Sequence, residues 1–233
     1  MLQRVVVPEL MDDPAITPAS HAQALAGLAR LNRFSRGDAG LWRVLRDEAK
    51  AIAPRPLRIL DLATGSGDLP IGIALRAKRA GLSFHISACD ISPTSVAIAK
   101  RDAVRHGVAV DFYQHNVLGD PLPGDYDAVT VSLFLHHLSE LDAIALLRIM
   151  AAKAERLVLV NDLSRGRMNV GLVTIATRVL SRSPVVHYDG PASVRAAFTP
   201  AEAKSLAETA GLTHASVRRQ FPCRWLLSWR KPA

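Results

Sequence analysis

Short apolar runs alternate with longer helical patterns in the middle of the chain, and this alternation constrains the fold more than any other feature. Between residues 57 and 163, five runs rich in Val, Ile and Leu alternate with three amphipathic segments of ten or more residues. Strands joined through helices run parallel, because such crossovers return the chain to the same edge of a sheet. The pattern therefore predicts an α/β domain with helices on both faces of a largely parallel sheet.

Residues that favour helix ends mark the boundaries along this stretch. Ser92 stands at an N-cap position before Pro93, and Gly81 and Gly107 follow the last helical residues of two segments. These signals predict strands at residues 57–63, 83–90, 109–116, 126–135 and 156–163, and helices at residues 68–81, 92–107 and 139–154.

The last part of the chain departs from this alternation. After a capped helix over residues 199–212, residues 213–221 and 224–231 have the composition of strands and are separated only by Pro222 and Cys223. A connection this short requires antiparallel pairing. The predicted fold is therefore a Rossmann-like, seven-stranded, mostly parallel sheet with an antiparallel edge hairpin.

Two further segments accompany the sheet. Residues 17–53 keep Ala and Leu at helical spacing, with a break at residues 36–40, so we expect an N-terminal helical cap over residues 1–54 and a single domain over residues 55–233. The connection between the fifth strand and the last helix is too long for a plain loop. A substrate or lid insertion, a helix plus a loop, is predicted at about residues 163–198.

Composition excludes several classes of protein. The chain has only two cysteines, Cys89 and Cys223, without partners at metal spacing, so neither a disulfide framework nor a metal site is indicated. Its longest apolar segment is too short for a bilayer span. We expect a cytoplasmic protein without a transmembrane segment, either a monomer or a homodimer. The formal charge of +8 can indicate nucleic acid or an anionic surface, but the basic residues are scattered, which disfavours nucleic acid.

The stretch LDLATGSGDLP follows the first predicted strand, at the edge where doubly wound sheets bind ligands. Gly65 and Gly67 allow a ligand to approach the backbone, and the next helix presents free N–H groups. A dinucleotide site would have a third glycine in place of Pro70, and the acidic Asp68 at the helix mouth disfavours a phosphate. The turn therefore favours a cationic or zwitterionic ligand.

Polar residues also end the next two predicted strands. Asp90 can accept hydrogen bonds from both hydroxyls of a ribose. Asn116 can meet the exocyclic amine of an adenine, and Val117 offers a backbone N–H. Together with the glycine turn, these positions predict a nucleoside with a charged tail and no phosphate.

These motifs resemble those of the class I S-adenosylmethionine-dependent methyltransferases, over about residues 55–230. The resemblance rests on LDLATGSGD, Asp90, QHNV and YDAVTVSLFLHHL, and it implies a seven-stranded sheet with one antiparallel strand at its edge. Ala63 replaces the first glycine of the family pattern, and Asn116 replaces an acid but can still accept through its carbonyl oxygen. The implied cofactor is S-adenosyl-L-methionine, held by Asp61, Ala63, Gly65, Gly67, Asp90, Ile91, Asn116, Val117 and Ser132.

Within this family, LFLHHLSE and VNDLSR resemble the small-molecule branch, near quinone-biosynthesis and polyketide-associated methyltransferases. The resemblance implies an O-methyltransferase of a small aromatic metabolite, which is phenolic, polyketide or quinol-like. The alternatives are C-methylation of a quinol ring, methylation of RNA or protein, and a non-catalytic cofactor-binding module. The fourth strand lacks an Asn-Pro-Pro-Tyr motif and a nearby nucleophilic cysteine, which disfavours RNA and protein.

Candidate catalytic residues follow the fourth and fifth predicted strands. Either His136 or His137 can act as the base for a phenol, whose pKa is near 10, or the pair can pack against the next helix or cap it. Asp162 can orient a substrate hydroxyl or a histidine, or it can cap a helix.

Candidate substrate contacts lie in the predicted insertion. His187, Tyr188 and Asp189 either line the substrate mouth or form a surface loop with an Asp-Gly turn. The N-terminal side chains that either close over the cofactor or pack between helices are Arg30, Asn32 and Arg33.

Overall fold

The computed structural model of the chain describes residues 2–13, 15–35 and 38–232. Its strands are β1 (Leu57–Leu62), β2 (Phe84–Asp90), β3 (Asp111–Gln114), β4 (Tyr126–Ser132), β5 (Ala154–Leu163), β6 (Ser216–Gln220) and β7 (Arg224–Arg230). Its helices are α1 (Pro18–Ser35), α2 (Ala39–Ile52), α3 (Asp68–Ala80), α4 (Pro93–His106), α5 (Glu140–Lys153), α6 (Arg167–Leu180), α7 (Pro184–Ala196) and α8 (Pro200–Thr209). Short 3₁₀ turns lie at Leu10–Asp12 and Leu135–His137.

The seven strands form one sheet in the order β3-β2-β1-β4-β5-β7-β6. Strands β1 to β5 pair in parallel, whereas β7 lies between β5 and β6 and runs antiparallel to both. The Rossmann-like fold with an antiparallel edge hairpin is thus confirmed. The strand order reverses between β1 and β4, so ligands are expected at the carboxyl ends of these central strands.

Both faces of the sheet are covered, and the first strand shows why. Leu57 and Ile59 belong to one buried apolar cluster, whereas Leu60 and Leu62 belong to another. Because successive side chains of a strand point to opposite faces, β1 contributes to both layers of core. A strand buried on both sides must be apolar nearly throughout, as the sequence of β1 is.

Helix α2 is fixed to the sheet by a buried carboxylate. Glu48 accepts hydrogen bonds from Arg156 of β5 and Arg230 of β7. Burial would raise the pKa of Glu48, but the bonds from the two arginines outweigh it and hold the pKa below the ordinary value. The helix also buries Leu41 and Leu45 against the sheet. The predicted division of the chain at residues 54 and 55 stays a prediction.

The predicted helix ends agree with the observed ones. Ser92 caps α4 by accepting from Ser95 N, and Thr199 forms a capping box with Glu202 at the start of α8. Gly81 and Gly107 follow α3 and α4 with φ angles of 65° and 62°. The predicted break between the N-terminal helices includes residues 36 and 37, which lie outside the described residues.

The segment over residues 163–198 differs from the expectation of a helix plus a loop. It contains two helices, α6 and α7, and Asp189 and Gly190 lie inside α7 rather than in a turn. A Cβ on Gly190 would stand 2.6 Å from the Cγ2 atom of Thr177 in α6. Gly190 therefore permits close packing of α7 against α6. The Asp-Gly sequence, which is typical of turns, does not predict this role. In the described part of the chain, neither of these helices nor any other is long and apolar enough to cross a bilayer.

Candidate active site

The glycine turn leaves β1 at the carboxyl edge of the sheet through three residues of positive φ. Ala63, Gly65 and Gly67 have φ angles of 49°, 56° and 79°. Thr64 N donates to Cys89 O at 3.0 Å, and Gly67 N donates to Thr64 O at 3.0 Å. The turn is thereby held against β2. Ala63, in place of the family's first glycine, adopts a conformation that glycine accepts more readily.

The two glycines of this turn have different physical roles. A Cβ on Gly67 would lie 2.9 Å from the Cβ of Ala99 and from the ring of Phe112, whereas a Cβ on Gly65 would meet nothing within 4 Å. Gly67 therefore allows α3 and α4 to pack closely. Gly65 leaves open space for a ligand.

Replacing Gly67 by Ala is expected to lower the free energy of unfolding by about 2–4 kcal/mol, because positive φ and a steric clash add. Replacing Gly65 by Ala adds only the backbone strain and is expected to cost about 1 kcal/mol. Urea denaturation of both variants measures the difference. Equal destabilisation would contradict the separate roles.

Asp90 connects this turn to the next one. Its carboxylate, only 9% exposed, accepts from Gly65 N at 2.8 Å through Oδ2 and from Ser92 N at 2.9 Å through Oδ1. Each carboxylate oxygen has a further lone pair, so two hydroxyls can still bind. The adjacent Ile91 is 62% exposed and offers an apolar surface at the same edge.

At the end of β3, the side chain expected to meet an adenine already has a hydrogen-bond partner. Asn116 is exposed, and its Oδ1 accepts from Leu118 N at 3.3 Å, so the side chain already closes a local turn. The side chain of Val117 is buried in the core. Gln114, whose Nε2 donates to Ile91 O at 3.1 Å, joins β3 to the Asp90 turn. Contact between Asn116 and an adenine stays a prediction.

Asp61 lies beneath the glycine turn and is almost fully buried. It accepts from Thr130 Oγ1 at 2.6 Å and from Thr64 Oγ1 at 2.7 Å. Burial raises its pKa to about 6, although both hydroxyls lower it. Its position under the turn makes it a support for the turn's shape.

Ser132 ends β4 next to Asn161 of β5. Its Oγ accepts from Asn161 Nδ2 at 2.9 Å. The Oδ1 atom of Asn161 is buried without a hydrogen-bond partner among the described residues. A buried amide oxygen that lacks a donor is costly, so this position is suited to a ligand that donates.

A buried acid and imidazole follow β4 and β5, and we call them the His136–Asp162 pair. His136 Nδ1 lies 2.7 Å from Asp162 Oδ1, and His136 N donates to Asp162 Oδ2 at 3.2 Å. A carboxylate only accepts, so the Nδ1–H donates and Nε2 is left for another partner. The sequence left several roles open for Asp162, and these hydrogen bonds correspond to the orientation of a histidine.

The two neighbouring histidines have opposite protonation tendencies. Burial lowers the pKa of His136, but the charge and hydrogen bond of Asp162 outweigh burial and hold this pKa above the ordinary value. Despite burial, the same contacts hold the pKa of Asp162 below its ordinary value. Burial and the neighbouring His136 together lower the pKa of His137 to about 4. His136 is therefore the better proton acceptor.

The N-terminal segment crosses this site, which sequence reasoning missed. Arg4 donates from Nη2 to the carbonyl oxygens of His136 and Leu138, at 3.2 and 2.7 Å. Its Nε donates to Ala196 O at 2.6 Å, and its guanidinium stacks on the ring of Phe198. These long-range contacts have no local signature in the sequence.

The same segment brings Glu9 to the histidines. Glu9 Oε1 lies 3.8 Å from His136 Nε2 and 3.9 Å from His137 Nδ1, and it accepts from Ser193 Oγ. The ligand atoms of these two histidines and Glu9 all lie within 4.8 Å of one another. Imidazole nitrogens and carboxylate oxygens are common ligands of transition-metal ions. The sequence predicted no metal site. Among the described residues, this cluster is the group of histidines and acids whose ligand atoms lie close enough together to hold a metal ion.

The three predicted substrate residues all lie in α7, and they do not converge. Asp189 is buried and accepts from the backbone N–H groups of Leu10 and Met11, at 2.8 and 3.1 Å. His187 Nε2 lies 2.9 Å from Ser181 O, and Tyr188 is half-exposed. Asp189 thus holds the N-terminal segment over the site, and substrate contacts by all three stay predictions.

The N-terminal helix contributes two packing contacts. Arg30 Nε donates to Leu180 O at 2.9 Å, and Asn32 Oδ1 accepts from Arg224 Nη2 at 2.8 Å. The side chain of Arg33 lies outside what the structure describes. Closure over a cofactor by these residues stays a prediction.

Comparison with known proteins agrees with this geometry. Residues 59–155 match the family model described as a methyltransferase domain. The demethylmenaquinone methyltransferase of Thermus thermophilus is 38% identical over 112 residues, which are 47% of this chain and 49% of the relative. The matched segment therefore spans about half the length of that relative.

Solved structures share the fold. The magnesium protoporphyrin IX methyltransferase of Synechocystis, solved with S-adenosylhomocysteine, has a TM-score of 0.59 and 17% identity, over 94% of this chain and 90% of that chain. An O-methyltransferase family 2 protein of Planctomyces limnophilus, solved with apigenin, has a TM-score of 0.65 and 16% identity, over 94% of this chain and 63% of that chain. Residues 59–155 thus resemble a methyltransferase domain, and the chain shares the Rossmann-like fold of these solved methyltransferases.

Proposed function

We propose that this protein transfers the methyl group of S-adenosyl-L-methionine to an oxygen of a small aromatic metabolite that is phenolic, polyketide or quinol-like. The observation that carries the proposal is the His136–Asp162 pair, which lies at the same edge of the sheet as the glycine turn. The proposed site for the methyl donor and the proposed proton acceptor therefore lie at neighbouring strand ends.

The residues at the strand ends fit the cofactor. Gly65 leaves open space above the turn, and Asp90 keeps lone pairs for the ribose hydroxyls. Ile91 presents an exposed apolar surface for the base, and the unpartnered Asn161 Oδ1 beside Ser132 suits an ammonium or another donor. When bound, S-adenosylmethionine supplies a methyl carbon activated by a sulfonium.

The His136–Asp162 pair prepares the acceptor for attack. Asp162 holds the Nδ1–H of His136, so that Nε2 can accept the proton of a phenol. A phenol titrates near pH 10, so a base that removes its proton raises the fraction of the reactive anion at neutral pH. The O–H bond breaks, its proton goes to His136 Nε2 and its electron pair stays on the phenol oxygen. Bound S-adenosylmethionine would supply the methyl carbon for this oxygen, with the methyl–sulfur bond breaking onto sulfur and S-adenosylhomocysteine as the leaving group.

Methylation of a ring carbon is the second candidate. It is supported by the similarity to the ubiquinone/menaquinone biosynthesis C-methyltransferase of Bradyrhizobium diazoefficiens, which is 33% identical over 111 residues. The same base serves both outcomes, because a quinol anion carries negative charge on oxygen and on ring carbon. RNA and protein methylation, and a non-catalytic binding module, are outcomes of the test below.

The test is incubation of the purified protein with S-adenosylmethionine that carries a carbon-13 methyl group, against simple phenols, polyketide phenols and short-chain quinols. We expect transfer to at least one of these, and the chemical shift of the labelled methyl separates an ether from a ring methyl. Total RNA and casein are the controls. Label in either control and in none of the aromatic compounds would overturn the proposal.

We also propose a cytoplasmic location. Cys89 and Cys223 are both free thiols, as is usual in a reducing compartment. A monomer or homodimer stays our expectation for the oligomeric state.

A further inference from the structure

Helix α6 carries an apolar stripe that faces solvent. Met168, Leu172, Ile175 and Val179 are 75%, 44%, 64% and 75% exposed. Their spacing of four, three and four residues places them on one side of the helix, and we call this set the α6 stripe. Exposed large apolar side chains that form a continuous stripe indicate a binding surface, whereas isolated ones are ordinary.

The opposite side of α6 already serves the fold. Thr177 is fully buried, and Val173 and Thr177 lie against Gly190 of α7. The stripe is therefore a second apolar surface, separate from the side that packs inside the protein. Packing among the residues that the structure describes leaves it uncovered.

Basic residues flank the stripe, in a stretch of sequence without acidic residues. Residues 164–188 contain no Asp or Glu. Arg167, Arg178 and Arg182 are exposed at the two ends of α6. A cavity of about 420 Å³ lies beside the end of the helix and is lined by Arg30, Arg178 and Arg182 together with residues 179–181. Three guanidinium groups around one cavity suit an anionic phosphate.

We propose that α6 docks on the surface of an anionic membrane. The α6 stripe enters the boundary between headgroups and acyl chains, and the arginines contact lipid phosphates, which is how interfacial amphipathic helices bind. The combination of side chains favours this occupant. Nucleic acid would leave the stripe unused, and a symmetric pair of α6 helices would bring the arginines of two copies together.

The test is co-sedimentation of the full chain with vesicles of phosphatidylglycerol and phosphatidylcholine, compared with vesicles of phosphatidylcholine alone. We expect the apparent affinity for the anionic vesicles to be at least about 10-fold higher and to fall as salt is added. Replacing Ile175 and Val179 together by Ser is expected to weaken this binding by about 10-fold or more. Reversing Arg178 and Arg182 to Glu is expected to remove the preference for anionic lipid.

Leu141→Ser is the matched control, because Leu141 is 79% exposed on α5 and has no place in the proposed surface. It should bind vesicles as the wild type does. Exposed substitutions of this kind seldom change stability by more than about 0.5 kcal/mol, so folding is preserved. Equal binding to neutral vesicles, no binding to either, or a dimer that the Ile175 and Val179 variant abolishes would each overturn the proposal. Because vesicle binding is measured without a methyl acceptor, its outcome is independent of the methyl transfer proposed above.

Discussion

Replacing Asp90 by alanine is expected to weaken the binding of S-adenosylmethionine by roughly 10- to 150-fold, or about 1.5–3 kcal/mol. The carboxylate is the group at the end of β2 that can accept from both ribose hydroxyls. It also holds the backbone N–H groups of Gly65 and Ser92, so its loss leaves both turns without their shared acceptor. Calorimetric titration of wild type and variant with the cofactor measures the change.

A charge control separates this contact from a general electrostatic effect. Asp47 lies on α2, where it is exposed and pairs with Arg46. Replacing Asp47 by alanine removes the same charge and is expected to change the affinity less than about 2-fold, because solvent and salt screen exposed charges. An unchanged affinity in the Asp90 variant would refute the assigned ribose contact.

The second large effect is expected from the catalytic base. His136→Ala should lower kcat by about 10²- to 10⁴-fold, the usual contribution of a positioned general base. The affinity for S-adenosylmethionine should stay within about 3-fold of the wild-type value, because the imidazole lies beyond the residues assigned to the cofactor. Single-turnover rates at saturating cofactor measure the first quantity, and calorimetry measures the second. A variant with wild-type kcat would exclude His136 as the base.

The pH profile tests whether Asp162 acts through His136. The base works when neutral, so kcat falls at low pH as His136 is protonated. Burial lowers the pKa of His136, but Asp162 outweighs it, so the acid limb of the wild type should lie above pH 6.5, the ordinary histidine value. In Asp162→Asn, the larger of the two opposing carboxylate effects is removed and only Glu9 still opposes burial, so the pKa of His136 falls and the limb should move to lower pH. His137, with a pKa of about 4, adds no limb near neutrality.

A purely structural role for Asp162 predicts a different result from the same experiment. Loss of packing alone would lower kcat by the same factor at every pH and leave the acid limb in place. Asp127 provides a comparison, because it is a fully buried acid that pairs with Arg55 at the other end of the sheet. Asp127→Asn should lower stability without moving the limb.

Much of the fold was predictable because it depends on local patterns. The apolar run of β1, the Ser92 cap and the short turn at Pro222 each act within a few residues, and each appears where expected. The glycine turn and Asp90 were also predictable, since parallel strands bring their carboxyl ends to one edge. Their hydrogen bond, from Gly65 N to Asp90, agrees with that inference.

The rest depends on contacts between distant segments. The sequence left three roles open for Asp162, because the residues around a buried acid do not identify a hydrogen-bond partner that lies 26 positions away in the chain. Glu9 and Arg4 reach the histidines from an N-terminal segment whose backbone Asp189 also binds. A surface turn at Asp189 and Gly190 was one of the two alternatives open from the sequence, but both residues lie in a helix, where Gly190 packs against Thr177.

The most direct test of the account is calorimetric titration of the purified wild-type protein with S-adenosylmethionine, without any methyl acceptor. The account predicts saturable binding of one cofactor molecule per chain, and a clear loss of affinity in Asp90→Ala. A wild-type protein that is correctly folded and shows no binding at millimolar cofactor would contradict it.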